Sequence, residues 1–579
     1  MILLVMNKHI TVVLFIFFVC LLSLVAGEQE IIPLSDSIYR EIDSLYIMEG
    51  KALPSGARPW TRGEAKEILT SLRASDRFVE SRKNYLLSLL VDDEEGFNYS
   101  YDIVLTPKAI FQTGDSYATS MAVLPSDLEE DPINIAATIN HGNLLTGFAN
   151  LNIGAKDGDV EDHAKYGTNG YYKMSKRYEH AIGTNVPYFM NDGVAMDFPN
   201  RAYVTLGNSF ARFTVGRDRL SWGNGEMGNL ILGDTLPYHD YFTLTYRAGN
   251  KFKYQLLTSF FTHPNNYNLA EVESGSAAND YDRRPTNGIR FMLGHRFEFT
   301  FMQGRLSVAL NEAVMYQSKS GDVDYRVLNP LLFMHNFYIA GNANSLASIE
   351  INYAKDKNVS YYMQLAIDDL AVGEAKAPED GASADGYAVV LGRKQTRAEM
   401  DGYRYNSFEL VYTSPFMYHR ANGKSTDNDQ ALYYVSTIRI SNGGSVDNVS
   451  RYLSYSFGSD ALVAQYKMGY RRFEGLSYEG SILLMAHGVI DKYSKTYYYG
   501  STYDNGSTPG FLCKTNPFDT SETGEIEYSV IAGLKVEKPI NERLTVNGSV
   551  FVLGATNYKN VKDETGFDIQ LAGGARYVF

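Results

Sequence analysis

The sequence predicts an all-β fold: a large antiparallel transmembrane β-barrel of about 18 strands behind a small N-terminal α-helical module. Three observations carry that expectation. Segments of roughly ten residues alternate apolar and polar side chains through most of the 579-residue chain. An export signal stands at the N-terminus. The last segment places Leu571, Gly573, Ala575, Tyr577 and Phe579 on one strand face and ends on an aromatic residue.

Composition agrees. The chain has 44 Tyr and 50 Gly against 2 Trp and 2 Cys, a mixture that favours strands and tight turns. Charged residues are 21% and hydrophobic ones 44%, which excludes a disordered chain and a helical membrane bundle. The net charge is 53 − 67 = −14, which argues against a nucleic-acid partner.

Residues 1–27 read as a signal peptide. Lys8 and His9 form a short basic region, residues 10–25 are almost wholly apolar, and Val25-Ala26-Gly27 supplies small residues for cleavage. An uncleaved anchor would need about 20 apolar residues, more than this run provides. A lipoprotein reading would use Cys20, but Val19 and the apolar residues after it do not suit one. Cys513 is then the one cysteine of the mature chain, so no intramolecular disulfide is expected.

Residues 28–97 read as a periplasmic helical module. Ser35-Asp36 opens a run with Ile38, Ile42, Leu45 and Met48 at helical spacing, and Gly50 stops it. Thr61-Arg-Gly-Glu64 fits a capping box, with the Thr hydroxyl and the Glu side chain each answering the other's amide. Ser75-Asp76 caps a third helix carrying Phe78, Val79, Tyr85, Leu86, Leu89 and Leu90. Three short helices bury little alone, so the module should dock on the larger body. Trp60 and Arg62 are the expected pins to the barrel, one by area and one by bidentate pairing.

Residues 98–579 form the expected barrel. Alternation is clear at 201–208, 211–216, 241–247, 251–261, 348–353, 360–367, 408–412, 431–440, 461–470, 527–536 and 543–553. A soluble sandwich or propeller shares this period. Export, the aromatic end and loop asymmetry favour the transmembrane barrel: 248–250 and 539–542 are short turns, whereas 262–288 and 491–523 are long. The 482 residues give roughly 27 to 30 per strand for 16 to 18 strands. So wide a lumen stays open unless filled, and the module is the natural occluder of its periplasmic mouth.

Several short motifs resemble the Wzi capsule-assembly family. Residues 35–50 followed by Arg58-Pro-Trp-Thr-Arg62 look like that family's helical module. Residues 215–225 (VGRDRLSWGNG) and then Gly228-Asn-Leu-Ile-Leu232 are similar to its glycine-tryptophan segment. Asn329-Pro330, His335-Asn336 and Ala366-Ile-Asp-Asp369 follow in order. The resemblance implies an 18-stranded outer-membrane barrel, a periplasmic helical bundle and lectin-like retention of exported capsular polysaccharide; it implies no particular sugar.

Each motif also has a plain structural reading. Gly216, Gly223 and Gly225 suit turns or bulges beside strands, as Asn329 and Pro330 suit a structural corner. Trp222 is a packing residue or a sugar platform. Arg217 and Arg219, two apart, would share a strand face. If that face is the lumen they form a site for anionic sugars, and otherwise they pair with Asp218, Asp234 or Asp368 and Asp369. Tyr497, Tyr498 and Tyr499 form the densest aromatic cluster, at home in a lectin surface or an interfacial girdle. Tyr577 and Phe579 resemble a barrel-assembly signal.

No zinc spacing, HExxH, nucleophile elbow, P-loop or dinucleotide fingerprint is present in context, so no metal, cofactor or enzymatic activity is expected. The expected partners are surface or capsular polysaccharide, outer-membrane lipid and the assembly machinery, for a monomer with long extracellular loops. Two alternatives stay open: a porin-like diffusion channel, and an adhesin whose loops bind proteins.

Overall fold

The computed structural model describes residues 28–90, 97–113, 132–155, 182–184, 194–197, 201–234, 236, 238–261, 289–318, 321–329, 335, 339, 343–369, 385–419, 434–442, 445–491, 494, 511–517 and 519–579. Helices α1 (Ile38–Met48), α2 (Arg62–Ser71) and α3 (Arg77–Leu90) make the module. In α1, Ile38, Ile42, Leu45 and Met48 are buried on one face. Asp36 Oδ1 accepts from the Ile38 amide at 2.9 Å, and Gly50, at φ +64°, turns the chain out of the helix. Asp76 Oδ1 caps α3 through the Phe78 amide at 2.7 Å.

The barrel strands begin with β1 (Phe97–Leu105 and Lys108–Gln112), β2 (Ile133–His141), β3 (Leu145–Ala155), β4 (Val194–Asp197 and Ala202–Gly207), β5 (Ala211–Asp218) and β6 (His239–Ala248). Next come β7 (Phe252–Phe261), β8 (Ile289–Phe301), β9 (Leu306–Ser318), β10 (Ala343–Asp356), β11 (Val359–Asp369) and β12 (Gly386–Glu399). The circuit ends with β13 (Gly402–Thr413), β14 (Ala461–Arg472), β15 (Ser477–His487), β16 (Glu527–Pro539), β17 (Leu544–Thr556) and β18 (Thr565–Val578). Each pairs antiparallel with its neighbours, and β18 closes on β1 through Val104↔Val578, Leu105↔Tyr577 and Lys108↔Gly574 to Gln112↔Gln570. The fold is a closed 18-stranded antiparallel barrel.

Side-chain alternation gives the wall two chemistries. On β6, Leu244 and Tyr246 are exposed outward while Thr243, Thr245 and Arg247 are buried inward. On β16, Tyr528, Val530 and Leu534 face out, and on β18 Phe567 and Leu571 do. Apolar-out and polar-in is the arrangement of a barrel that meets lipid. Tyr577 and Phe579 end the closing strand with their rings 4.8 Å apart.

Short turns gather at one end, at 249–251, 302–305, 357–358, 400–401 and 540–543. The module docks at this end. Ala52 N donates to Gly304 O at 2.8 Å, and Asn358 N to Ile47 O at 2.7 Å. One expected wall strand is placed elsewhere. The alternation at 431–440 belongs to a separate hairpin, in which Val435–Asn442 pairs with Ser445–Tyr452. Period 2 is common to any strand, and only pairing with a neighbour puts one in the wall.

Candidate functional site

The site is the inside of the barrel. After β5 the chain does not arch away from the wall; residues 219–236 fold into the lumen. Ser221 and Trp222 pair antiparallel with Arg58 and Ala57 of the module, and Gly223 N donates to Gly56 O at 2.9 Å. The chain then doubles back, with Trp222 N bonded to Leu232 O at 2.9 Å. Gly223 permits this turn. Its φ is +127°, and a Cβ there would lie 2.2 Å from Asn229 Oδ1.

Leu230, Ile231, Leu232 and Leu236 pack against inward-facing Met315, Leu346, Ala388 and Val411 of the wall. Each large side chain buried here contributes about 1.5–3 kcal/mol, so the lumen has an apolar core of its own. Polar bonds fix its register: Leu230 N donates to Gln364 Oε1 at 3.0 Å, and Glu409 accepts from the amides of Glu226 and Met227, both at 2.8 Å. Glu226 itself lies between Lys394 at 2.7 Å and Lys467 at 3.3 Å. Burial opposes its ionisation, but these two cations hold its carboxyl well below the usual range.

Above, the inserted segment meets the connection between β13 and β14. Tyr418 Oη donates to Leu230 O at 3.1 Å, Ser454 Oγ to Ile231 O at 2.9 Å, and Gly233 N to Leu453 O at 2.9 Å. Tyr434 Oη bonds the carbonyls of Ala313 and Asn344 at 2.6 and 2.7 Å. A hydrogen-bonded column thus runs from the module, through the lumen, to the connections at the opposite end.

Below, buried charges fasten the module. Glu64 of α2 pairs with Lys253 at 2.6 Å and Arg212 at 3.0 Å, and both cations face inward from the wall. Burial alone would raise the Glu64 carboxyl, but Lys253 and Arg212 bring it down to about 2. Arg212 also donates to Thr61 Oγ1 at 2.9 Å, and Lys253 to Ser55 Oγ at 2.9 Å. Beside them Arg296 joins Glu298 at 2.7 Å and Glu350 at 2.6 Å. Arg247 reaches Glu67 at 2.5 Å, and Arg201 pairs with Asp218 while donating to Ile31 O at 2.7 Å.

This geometry revises several expectations. Only half of the capping box forms. Thr61 Oγ1 accepts from Glu64 N at 3.2 Å, but the Glu64 carboxylate turns to two cations, which form stronger charge-assisted bonds than an amide does. Trp60 and Arg62 do not reach the wall through their polar contacts. Trp60 tilts against Tyr39 at 4.8 Å and donates to Ser55 O, while Arg62 donates to Leu89 O and pairs with Glu30 at 3.7 Å. They build the module; Glu64 and Glu67 attach it, helped by Arg58, which donates to Asn224 Oδ1 at 3.3 Å, and Lys51, which donates to Gln303 O at 2.8 Å.

Arg217 and Arg219 form no lumenal pair. Arg217 follows exposed Phe213 and Val215 along the outer face of β5, and grips Asp240 through two bonds of 2.7 and 2.8 Å. Arg219 lies beyond the strand end, where its partner is Asp234: 2.7 Å to the carbonyl, 3.9 Å to the carboxylate. Trp222 is 2% exposed, its Nε1 donates to Gln255 Oε1 at 2.7 Å, and its ring lies over Gly294. A ring so enclosed offers no face to a sugar. Gly216 admits the close approach of Tyr203, and Gly225 that of Gly228. Asp368 is buried and accepts from Tyr418 N at 2.8 Å, holding the column. Asn329 ends a short 3₁₀ turn over Tyr325–Leu328. The side chain of Asp369, and Pro330, Tyr497, Tyr498 and Tyr499, lie outside the described residues.

The residues that sequence reasoning missed are the inward cations Arg212, Lys253 and Arg296 and their partners. A signal existed: each is a charge on the polar face of an alternating strand, and a charge enclosed where the barrel interior is filled requires a partner there.

No family model matches the sequence, and no curated protein matches it. Solved structures do match. One is Wzi of Escherichia coli, described as an outer membrane protein involved in group 1 capsule assembly and a carbohydrate-binding β-barrel. It has 13% identity and a TM-score of 0.53, and the match covers 94% of this chain and 99% of that one. Two others are the outer membrane protein OpdK and OprD, both of Pseudomonas aeruginosa. OpdK has 9% identity, a TM-score of 0.38 and coverage of 83% and 99%; OprD has 10%, 0.38, and 84% and 97%. At these identities the likeness is one of fold: this chain is an outer-membrane-type β-barrel.

Proposed function

We propose that this protein is an outer-membrane barrel that binds exported surface polysaccharide and holds it at the cell surface, without catalysing a reaction. The observation that carries the reading is the filled interior. The module, residues 219–236 and the connection between β13 and β14 form one bonded column through the lumen, which suits a surface-attachment protein better than a diffusion path. The likeness to a barrel described as carbohydrate binding supports the same reading.

In this reading residues 1–27 are removed on export, the short-turn end and the module face the periplasm, and the long connections face outward, following the usual asymmetry of such barrels. Polysaccharide then meets the outer connections, as in the expected Wzi-like role. Two measurements test it. Planar bilayers should show little conductance for the full-length protein and more for a version lacking residues 28–90. Purified protein should bind the cell's own surface glycan, and deletion should thin the glycan layer. Porin-like conductance by the intact chain, or an unchanged glycan layer with no binding, rejects the proposal.

A further inference from the structure

The module does not cover the inner wall evenly. Under it, inward charges are sealed: Arg212, Lys253, Arg296 and Glu350 are each under a tenth exposed. At the same short-turn end, the inner faces of β14 to β18 are wet. Asn547 and Arg576 are exposed, and Lys467, Arg471, Lys535 and Ser549 are half-buried. Register makes them one surface. Lys535 lies opposite Glu479 and Ser549, Glu537 opposite Asn547, Asn547 opposite Gly574, and Gly574 opposite Lys108. Alternation puts all of these side chains on the inner face, since Tyr528, Val530, Leu534, Val546 and Leu571 take the outer one.

This surface is a recess with a floor. Six residues farther along β17 from Thr545, Phe551 is buried, as are Ile531, Leu553 and Gln570 around it. At the rise and tilt of barrel strands that depth is roughly 15 Å. The recess is also basic. Lys467, Arg471, Lys535, Arg576 and Lys108 stand against Glu226 beside Lys467, Glu537 beside Arg471, and Glu479, five cations to three carboxylates, in a chain whose net charge is −14. Arg40 of the module adds a cation at its edge, 3.5 Å from Glu479. Low-dielectric walls concentrate the field of such a surplus. Asn547 and Ser549 add amide and hydroxyl groups suited to sugar hydroxyls.

We infer that this recess, between the module and the inner faces of β14 to β18, is a binding site for a carboxylate-bearing polysaccharide segment entering from the short-turn end. The inference deepens the proposed function and rests on it: it gives the glycan a charge class and a second point of contact, away from the outer connections.

The test titrates oligogalacturonate, with maltooligosaccharide as neutral control and polyglutamate as acidic peptide control, into the mature full-length protein in detergent. Oligogalacturonate should bind best, and the double variant Lys535→Glu/Arg576→Glu should weaken it about ten-fold or more. Separately, Asn547→Cys, made in a Cys513→Ser background so that the one thiol is the new one, should react with a thiol reagent, and oligogalacturonate should protect it. The variant carrying the new thiol keeps all the charges, so protection is read without disturbing the fold. Wild-type affinity in the charge-reversed protein, or labelling that oligogalacturonate leaves unchanged, overturns the recess. Equal protection by maltooligosaccharide overturns the charge class, and equal protection by polyglutamate overturns the glycan assignment. Each of these results leaves surface-glycan binding standing, because that reading fails only when the cell's own glycan is not bound.

Discussion

Replacing Glu64 by glutamine tests whether buried charge holds the module in the barrel. The substitution keeps the shape and leaves Lys253 and Arg212 without their shared anion. The drop of the Glu64 carboxyl from 4.5 to about 2 corresponds to about 3 kcal/mol of preferential stabilisation of its charged form. Removing one partner from a buried ion pair costs roughly 3–5 kcal/mol, which agrees. The chain has only two tryptophans, and Trp222 is paired with module residue Ala57, so its fluorescence reports undocking in urea. With a urea slope near 2 kcal/mol/M, the undocking midpoint should fall by roughly 1.5 M in Glu64→Gln. The sign of the pH dependence follows from the depressed value. The stabilisation is complete above the unfolded value of 4.5 and is lost as pH falls through about 2. Wild type should therefore lose more of its midpoint than Glu64→Gln over that interval. A midpoint shift under about 0.3 M, or parallel pH profiles, would refute the reasoning.

Other substitutions test the lumen and the rim. Gly294→Ala puts a Cβ 2.5 Å from the Trp222 ring and should cost about 1–3 kcal/mol, seen as a lower undocking midpoint, while Gly554→Ala, with nothing within 4 Å, should leave it unchanged. Arg217→Ala breaks a rim pair with half-exposed Asp240; stability should change by no more than about 1 kcal/mol, and binding of surface glycan should not change. A large loss of glycan binding there would restore the discarded lumenal role. Burial pushes the Asp460 carboxyl, in the connection before β14, up to about 7 against the amide bonds from Cys513 and Ile490. Its contribution is then complete below about pH 4 and lost as pH rises through 7. Labelling of buried Cys513, normalised to a free thiol, should speed up over that interval in wild type and stay level in Asp460→Asn.

The periodic signals belong to the chain itself. Alternation at 241–247 or 527–536 is a property of neighbouring residues, because successive strand side chains must face opposite ways, and it sufficed for the barrel. Asp36, Thr61 and Asp76 mark helix starts for an equally local reason: each caps an amide two or three residues on. What the chain alone could not assign was partnership between remote residues. Glu64 reads as a cap until Arg212 and Lys253, 148 and 189 positions away, turn its carboxylate aside. Arg217 and Arg219 read as a shared face until the end of β5 at Asp218 separates them. Trp222 reads as either a packing residue or a sugar platform until the chain enters the lumen, because the energy of burying Leu230, Ile231 and Leu232 comes from remote wall residues such as Met315, Leu346, Ala388 and Val411. Local periodicity fixes which side of each strand is apolar, but what fills the enclosed space depends on long-range contacts, and these exist only once the ring has closed.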